Sequence, residues 1–286
     1  MFATRGMGYF AASIDGNDVH PVEDFAMPPT GRASATLSGT VTDSASGQPA
    51  AGAVVSFGGH DSGFAGDLLA TTDADGHYTI TGIYPGRYAD VLAGGPGFLP
   101  SDVRTLSIHR GANSEDWTVT RDWAAASGGA KVTETNGDEY AGYGCGAAQL
   151  IDLSQGSGWG TELPAAGGDK HAVVQLPASV DVSKVLIDPR ATCGDDVSAS
   201  TGDYRLETSV DGTTWTTASS GHFTPAQNGK YNSVPLTAGS TSGVKYVRFV
   251  MLGTQTADYG VNCTTWVTSG CVYMDSSEMV VEGSAS

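Results

Sequence analysis

Positive charge is scarce in this chain. Lys and Arg together number 14, against 31 Asp and Glu, and the formal net charge is −17 at pH 7. A field of that sign repels phosphate backbones and anionic lipids, so we expect no nucleic-acid partner and no membrane partner. Neutral and cationic ligands remain compatible with this charge. The alternative explanation is that the negative charge serves solubility alone.

Long apolar runs are also absent. No segment approaches the ~20 apolar residues that cross a bilayer. The first residues lack the apolar core of a secretory signal peptide. If the protein is secreted, we therefore expect its signal to lie upstream or to have been removed.

Motifs of hydrolytic chemistry are missing. A zincin needs two histidines one helical turn apart with a glutamate between them, and none of the six scattered histidines forms H-E-x-x-H. No G-x-S-x-G nucleophile elbow occurs either. We therefore predict no catalytic residue and no zinc. The remaining enzymatic alternative is a Ser/His/Asp triad assembled from distant loops.

Cysteines are few, and all lie in the second half of the chain: Cys145, Cys193, Cys263 and Cys271. No C-x-x-C pair is present, which excludes zinc-ribbon and thioredoxin-type motifs. An even number in an acidic, Gly- and Thr-rich chain predicts two disulfides and an oxidising, extracellular compartment. The alternative is four free buried thiols.

Turn-forming residues are abundant. Glycine accounts for 40 of 286 residues, about twice its usual share of roughly 7%. Strand-like segments recur about every ten residues between Gly and Pro turns, which is typical of all-β sandwiches. We predict a tail and linker over 1–33, a first sandwich over 34–120 and a second over 121–286.

The second half shows the clearest strands. Val247, Phe249 and Met251 stand at alternate positions, as one buried strand face requires. In the first half, the Asp73 to Gly76 segment predicts a tight turn rather than a calcium loop, because the further carboxylates of an EF-hand do not follow. We predict no helix longer than a turn or two, and strands at 171–176, 184–187, 204–210, 245–251 and 272–281.

Several motifs of the first sandwich occur together in one known family. They are Ser38-Gly39-Thr40-Val41, Gly47-x-Pro49, Gly52-Ala53-x-Val55, Thr72-Asp73-Ala74-Asp75-Gly76 and Pro85-Gly86-x-Tyr88. In this order they resemble the carboxypeptidase regulatory-like domain. The resemblance implies a transthyretin-like β-sandwich.

The second sandwich carries an acidic loop from Asp152 to Trp159, a hairpin over 204–215 and a strand over 244–249. These segments resemble the discoidin-like (coagulation factor 5/8 type C) domain, which is a jelly roll. That family often places an Asp, a second Asp two residues on, a Thr five on and a Trp seven on. Here Ser154 replaces the second Asp, and Ser157 replaces the Thr.

The same resemblance implies a calcium site. In the family this loop often binds Ca²⁺ through one or two carboxylates and several backbone carbonyls, with a Glu returning from the last strand. Carried over residue by residue, the side-chain ligands are Asp152, Ser157 and Glu278, and Ca²⁺ accepts such oxygen ligands. The alternative is a glycine-rich loop closed by its own hydrogen bonds, with Trp159 in the core.

The order of segments is informative as well. Gly6-Met7-Gly8-Tyr9-Phe10, Glu23-Asp24-Phe25 and Pro28-Pro29 are similar to the segment that closes the catalytic domain in some bacterial fungalysin-type (M36) zinc metallopeptidases. In some of these, a regulatory-like sandwich and a discoidin-like domain containing the Ile187-Asp188-Pro189 stretch follow. The resemblance implies that this chain is the C-terminal region of such a peptidase, with the catalytic domain as an upstream partner.

Four cysteines allow three pairings. Cys263 and Cys271 are separated by eight residues, with Gly270 adjacent, which suits a small loop clamp. Cys145 and Cys193 would then join the loop before Asp152 to the loop after Ile187. The jelly roll implied by the resemblance can bring those two loops together.

Aromatic residues cluster in predicted loops beside the cysteines. Sugar recognition uses an aromatic face and a few fixed polar groups. We expect a ligand site formed by Tyr140, Tyr143, Tyr259 and Trp266, with Arg190, Asp195 and Asp196 as its polar part. The alternative is that the rings pack beneath the disulfides.

These features predict a monomeric, non-catalytic accessory region of a secreted hydrolase that binds a surface glycan or polymer through its second domain. The first alternative is a structural spacer or stabilising module without a ligand. An enzyme in its own right ranks third.

Overall fold

The computed structural model describes residues 35–57, 68–83 and 85–286. The tail and linker predicted over 1–33 lie outside the described residues. The described residues form β-strands and short 3-10 helices, which confirms the prediction of an all-β chain. None of their helices is long and apolar enough to cross a membrane. The chain divides into two compact units between Thr120 and Arg121.

The described part of the first unit contains nine strands. They are β1 Ala35–Asp43, β2 Val54–Phe57, β3 Leu69–Thr71, β4 His77–Ile83, β5 Gly86–Gly94, β6 Phe98–Leu99, β7 Arg104–Ile108, β8 Gly111–Ser114 and β9 Trp117–Arg121. One sheet has the order β4-β1-β9-β6, with β8 also beside β1, and the other has the order β3-β2-β5-β7. Because β1 is parallel to β8 and β9, these pairs require crossover connections rather than hairpins.

The core of this unit contains the inward residues of alternating strands. On β4, Tyr78 and Ile80 are buried while their direct neighbours are exposed. The Tyr78 hydroxyl donates to the Glu115 carbonyl (2.7 Å) and accepts a bond from Trp117 Nε1 (3.1 Å). The Arg104 guanidinium covers the Trp117 ring, 4.3 Å from its centroid. The polar atoms of these two buried aromatic residues therefore have partners, as buried polar groups require.

The predicted turn before β4 is present. Asp73 Oδ1 accepts bonds from the backbone N–H groups of Asp75 (3.0 Å) and His77 (2.9 Å). Gly76 has φ +75°, a left-handed conformation that favours glycine. The Asp73 carboxylate is thus used to close the turn.

The second unit, described in full, also contains nine strands. They are β10 Lys131–Thr135, β11 Trp159–Glu162, β12 Lys170–Asp188, β13 Asp203–Ser209, β14 Thr216–His222, β15 Asn232–Ser233, β16 Val244–Met251, β17 Tyr273–Ser276 and β18 Glu278–Ala285. The main sheet has the order β10-β12-β16-β13-β14, with β15 and β18 also pairing with β12. The strands β11 and β17 form a separate two-stranded ribbon.

Strand β12 connects two sets of partners. From Lys170 to Gln175 it pairs with β16, and from Val180 to Asp188 it pairs with β18. The register with β16 shifts between Gln175 and Val180, a stretch that includes Pro177, which has no N–H for a ladder. The strands predicted separately over 171–176 and 184–187 are therefore one long strand, and the predicted break was wrong.

The strand predicted over 272–281 is divided. Its first part, β17, pairs with β11, whereas its second part, β18, pairs with β12. The change of partner occurs at Ser277, whose N–H donates to the Asp188 carbonyl (2.9 Å). Because every residue from Met274 to Gly283 is buried, the hydrophobic pattern contains no signal for this division.

The core of the second unit is built largely from the main sheet. Val247, Phe249 and Met251 on β16 are all fully buried, as their alternation predicts. Leu206 on the adjacent β13 and Trp159 on β11 are buried in the same cluster.

Leu206→Ala should lower the free energy of unfolding by about 2–5 kcal/mol, because it leaves a cavity in a close-packed interior. Leu206 is 0% exposed, whereas Val210, just beyond the end of the same strand, is 62% exposed. Val210→Ala is therefore the matched control, with an expected change within about 0.5 kcal/mol. Urea denaturation of the full chain measures both, and equal effects would contradict this core.

Candidate functional site

The ribbon of β11 and β17 forms the base of a pocket in the second unit. Gly160 pairs with Asp275, and Glu162 pairs with Tyr273. Residues two apart on a strand share a face, so Tyr273 and Asp275 point to the same side of the ribbon. Met274, between them, points to the opposite side and is fully buried in the core.

Gly160 leaves the space above this base open. A Cβ at this position would lie 3.1 Å from Asp275 Oδ1 and 3.1 Å from Cys193 Sγ. Any larger residue would therefore press on the carboxyl group and on the sulfur. The missing side chain makes room for both groups at the pocket floor.

A disulfide joins two loops over the ribbon. Cys145 is bonded to Cys193, with their Cα atoms 5.9 Å apart. Cys145 follows the loop that carries Tyr140 and Tyr143, and Cys193 precedes Asp195. Both disulfides in the structure, this one and Cys263–Cys271, have the pairing expected from the sequence.

Three tyrosine rings form one wall. The Tyr140 ring meets the Tyr273 ring edge to face, with centroids 5.7 Å apart, and the tilted Tyr143 ring lies 6.5 Å from Tyr140. The Tyr140 hydroxyl donates to Glu162 Oε1 (3.2 Å). Tyr143 is 84% exposed. A hydrophobic ring so open to water is available to a ligand.

The ribbon, the disulfide and the tyrosine rings surround a pocket of about 420 Å³ that is open to solvent. It is lined by Tyr140, Tyr143, Cys145, Gly160, Cys193, Asp195 and Tyr273. Its volume lies within the range of roughly 300–1,000 Å³ that is typical of small-molecule sites. Aromatic rings and a carboxyl group therefore face the same space.

Asp195 and Asp275 form a carboxyl pair beside the pocket. Asp275 is fully buried, and its Oδ2 accepts the N–H of Thr192 (2.9 Å). Burial, followed by the negative charge of Asp195, raises the pKa of Asp275 to about 8. Burial also raises the pKa of Asp195, with the charge of Asp196 adding to the effect. The two carboxyl groups therefore favour sharing a proton over carrying two negative charges side by side.

The structure brings together only some of the residues predicted for the ligand site. Tyr140, Tyr143 and Asp195 line the pocket. The other four predicted residues, which are Arg190, Asp196, Tyr259 and Trp266, are not part of this lining.

Arg190 and Asp196 have structural partners instead. The Arg190 guanidinium donates to the Gln155 carbonyl, on the acidic loop. Asp196 accepts the N–H of Ser198 (2.9 Å) and of Ser269 (2.9 Å). Asp196 therefore ties its own loop to the loop of the second disulfide.

The two remaining aromatic residues lie on the long loop before β17. The Tyr259 hydroxyl accepts a bond from Asn228 Nδ2 (3.4 Å). Trp266 lies between Cys263 and Cys271 and is 66% exposed. Its ring is open to solvent rather than packed beneath the disulfide.

Sequence reasoning missed Tyr273, Asp275 and Gly160. Tyr273 and Asp275 were hidden in what looked like one continuous strand, and Gly160 was one of many glycines. The available signal was the order Tyr273-Met274-Asp275, in which an apolar residue separates two polar ones at strand period.

The acidic loop predicted to bind calcium is closed by hydrogen bonds. The Ser154 N–H donates to both Asp152 Oδ1 (2.9 Å) and Glu278 Oε2 (2.8 Å), and Ser157 Oγ donates to Asp152 Oδ2 (2.7 Å). Leu153 has φ +66°, a strained conformation for leucine. The loop thus brings all three predicted side chains, those of Asp152, Ser157 and Glu278, into one network.

Glu278 is buried beside other acids. Burial, followed by the charges of Asp122 and Asp152, raises the pKa of Glu278 to about 10. Two carboxyl groups that converge on one N–H need either a proton or a cation between them. Within the described residues, however, no group of three or more His, Cys, Asp or Glu side chains is placed to hold a metal ion.

Comparison with protein families identifies both domains. The model of the carboxypeptidase regulatory-like domain matches residues 36–121, and the model of the F5/8 type C domain matches residues 129–265. The chain therefore carries a carboxypeptidase regulatory-like domain followed by an F5/8 type C domain. No curated protein matches the chain.

Similar solved structures include three bacterial modules. CBM32-3 of a family 31 glycoside hydrolase from Clostridium perfringens is 19% identical, with 57% of this chain and 96% of that one covered and a TM-score of 0.43. The C-terminal domain of a chitobiase from Bacteroides fragilis is 19% identical, with 55% and 95% covered and a TM-score of 0.40. The family 32 CBM of NanJ from C. perfringens, solved with galactose, is 17% identical, with 53% and 90% covered and a TM-score of 0.35.

Removing the Cys145–Cys193 bridge should cost more stability than removing Cys263–Cys271. The bridges span 48 and 8 residues, for which loop entropy gives about 4 and about 2.5 kcal/mol. Paired Cys→Ser variants compared by urea denaturation measure the difference. A larger loss from the short bridge would contradict this view.

Stability of the second domain should fall as pH rises from about 4 towards 8. The pKa of Asp275 is raised to about 8 in the folded state, against about 3.9 in an unfolded chain. Between these two pKa values the folded state holds a proton that the unfolded state has released. The stabilisation from this proton is therefore complete below about pH 4 and is lost as the pH approaches 8. Asp275→Asn should flatten the slope, measured by denaturation at several pH values. An unchanged slope would show that Asp275 is ionised in the folded domain.

Proposed function

Because the chain carries a carboxypeptidase regulatory-like domain followed by an F5/8 type C domain, we propose that the second domain binds a glycan in the tyrosine-lined pocket. The two domains together would form a non-catalytic accessory region of a secreted hydrolase. The observation that carries the proposal is the convergence of three tyrosines and a carboxyl group, that of Asp195, on one open pocket.

The chemistry of the pocket suits a sugar. A pyranose ring presents C–H groups to an aromatic face, and its hydroxyl groups need a few fixed polar partners. Tyr143 supplies the open ring, while the Tyr140 hydroxyl is held by Glu162 and Asp195 offers acceptor oxygens. The number of such contacts supports millimolar to micromolar affinity. That suffices for a tethered enzyme, since tethering raises the local concentration.

The disulfides support secretion. Both disulfides belong to the second domain, and structural disulfides persist in oxidising compartments. The proposed catalytic partner is a zinc metallopeptidase of the fungalysin type, on the resemblance of the tail, which lies outside the described residues. An H-E-x-x-H motif in the upstream sequence of the gene would support this partner.

Trp266 is proposed as a second contact for an extended glycan. Its ring is exposed on a loop clamped by Cys263 and Cys271, which loses less entropy on binding than a free loop. The Asp196 and Ser269 bonds link this loop to the one that carries Asp195.

A calcium ion is proposed at the acidic loop. The donor set fits, because Asp152 and Glu278 supply hard carboxylate oxygens and Ser157 supplies a hydroxyl oxygen. When bound, the ion would neutralise the buried carboxylates and fix the loop. The residues themselves already orient one another through Ser154.

Tyr143→Ala should weaken glycan binding by roughly 3- to 10-fold, the loss expected for one aromatic contact. The melting temperature should stay unchanged, because this ring is exposed. Glycan-array screening of the full chain identifies the best ligand. Calorimetric titration then measures the affinity of the wild type and of the variant for that ligand.

Trp266→Ala is the companion variant that tests the proposed second contact. If the pocket alone binds, this variant behaves as wild type; a smaller loss limited to long glycans supports the second contact. Loss with Trp266→Ala and not with Tyr143→Ala would move the site to the clamped loop. Absence of any glycan ligand would favour the spacer alternative.

Calcium should raise the melting temperature of the second domain, and EDTA should reverse the effect, because a ligand that binds only the folded state stabilises it. Asp152→Asn should abolish the difference, whereas Glu134→Gln, at an exposed carboxylate that pairs with His171, should retain it. Identical melting curves with millimolar Ca²⁺ and with EDTA would exclude the site.

A further inference from the structure

The charged groups at the tyrosine-lined pocket are all acidic. Asp195 lines it directly, Asp275 lies beneath it, and Glu162 lies at the Tyr140 hydroxyl. No lysine, arginine or histidine is among the lining residues, all of which fall in the fully described second unit. The hydroxyl groups of a neutral sugar can donate to these carboxylates, but they do not compensate the negative charge.

The carboxyl pair lacks a counter-charge. Asp275 Oδ1 is buried and has no N–H or O–H donor in the described chain, although the Asp195 carboxyl is within hydrogen-bonding reach. Two neighbouring carboxylates, one of them fully buried, need a proton or a cation to offset their repulsion. A cation delivered to Asp195 from the pocket could replace that proton.

The surroundings favour an organic ammonium ion over a bare metal ion. An ammonium group has three donors and no acceptor, which match carboxylate oxygens. The faces of aromatic rings also attract cations within about 6 Å of the centroid. Asp195 and the rings of Tyr140, Tyr143 and Tyr273 line the same pocket, so an amine there would meet both.

We propose that the pocket selects an amino sugar with a free, protonated amine over the same sugar in its N-acetylated form. This inference rests on the proposed glycan site and names its ligand class. The amine would bind Asp195, while the sugar ring lies on the tyrosine wall.

The groups that set the charge of the site come from four segments. These are Tyr140 and Tyr143 before the disulfide, Glu162 on β11, Asp195 and Asp196 after Cys193, and Tyr273 and Asp275 on β17. Asp195 is the one charged group in the described lining, so its carboxylate decides the preference.

The test titrates the full chain with glucosamine and galactosamine oligosaccharides and with their N-acetylated counterparts, at pH 6.5 and low salt. The free-amine forms should bind roughly tenfold or more tightly, the gain expected for a charge-assisted hydrogen bond. The difference should shrink at high salt, because screening weakens it.

Two variants locate the effect. Asp195→Asn should bring the affinities for the free-amine and N-acetylated forms to about the same value, so the readout is the ratio of the two affinities and not the binding of either form alone. Glu134→Gln removes one negative charge from β10 and should keep the preference. If both variants lose it equally, net charge rather than Asp195 is responsible, and the proposal is wrong.

A third variant tests the shared proton. Asp275→Asn can donate its amide to Asp195, which favours the ionised form of Asp195, so tight amine binding should persist to lower pH than in wild type. In wild type, amine binding should weaken as the pH falls, because burial raises the pKa of Asp195 and its protonation removes the charge that the amine binds. Equal pH profiles would overturn the role of the pair.

The remaining outcomes separate this inference from the glycan proposal. Equal or tighter binding of the N-acetylated forms overturns amine selection and leaves the glycan site standing. No binding of any oligosaccharide overturns both. Competition by Nα-acetyl-lysine amide as strong as that by glucosamine would assign the pocket to lysine side chains instead of sugars.

Discussion

The disulfide between Cys145 and Cys193 is the constraint on which the pocket depends. It holds the Tyr140–Tyr143 loop against the Asp195 loop, above the ribbon of β11 and β17. Neither loop contains a strand, although hydrogen bonds from Thr192 to Asp275 and from Tyr140 to Glu162 also tie the loops to the ribbon. Without the bridge, the two loops would lose their covalent link, and binding would have to overcome more of the entropy of ordering Tyr143 and Asp195.

Buried acidity is the second organising feature. Asp275 and Glu278 are three residues apart, on either side of the point where the chain passes from β17 to β18, and the pKa of each is strongly raised by burial. Each is placed near a second carboxyl group, Asp195 for the first and Asp152 for the second. Both sites therefore favour protons or positive ligands, although one opens to the pocket and the other is closed by Ser154.

The architecture explains this concentration of acids. Strand β12 pairs with β16 along its first part and with β18 along its last, which brings Asp188 beside Glu278. The short ribbon turns Tyr273 and Asp275 towards the pocket side while Met274 enters the core. One end of the domain thus combines a rigid, apolar interior with a loop region rich in polar groups. Proteins commonly place their binding residues on loops that a rigid scaffold holds in position.

Local patterns were sufficient for the class of fold and for parts of the site. Strand alternation at Val247 to Met251, the turn at Asp73 to Gly76 and the spacing of strands all act over a few residues, so they are readable in the sequence. The tyrosines beside Cys145 and the acid after Cys193 were recognisable because sugar recognition uses an aromatic face and a few fixed polar groups.

Tertiary structure alone decided which of these residues meet. Ser277, where the predicted strand 272–281 divides, and Gly160 both have partners more than 80 residues away in sequence. The continuity of β12 likewise depends on the strands that pair with it. The same distant pairings leave Trp266 and Tyr259 outside the pocket lining and place Tyr273 within it. Sequence patterns record whether a residue is buried, but the choice of partner is made by the packing of distant strands.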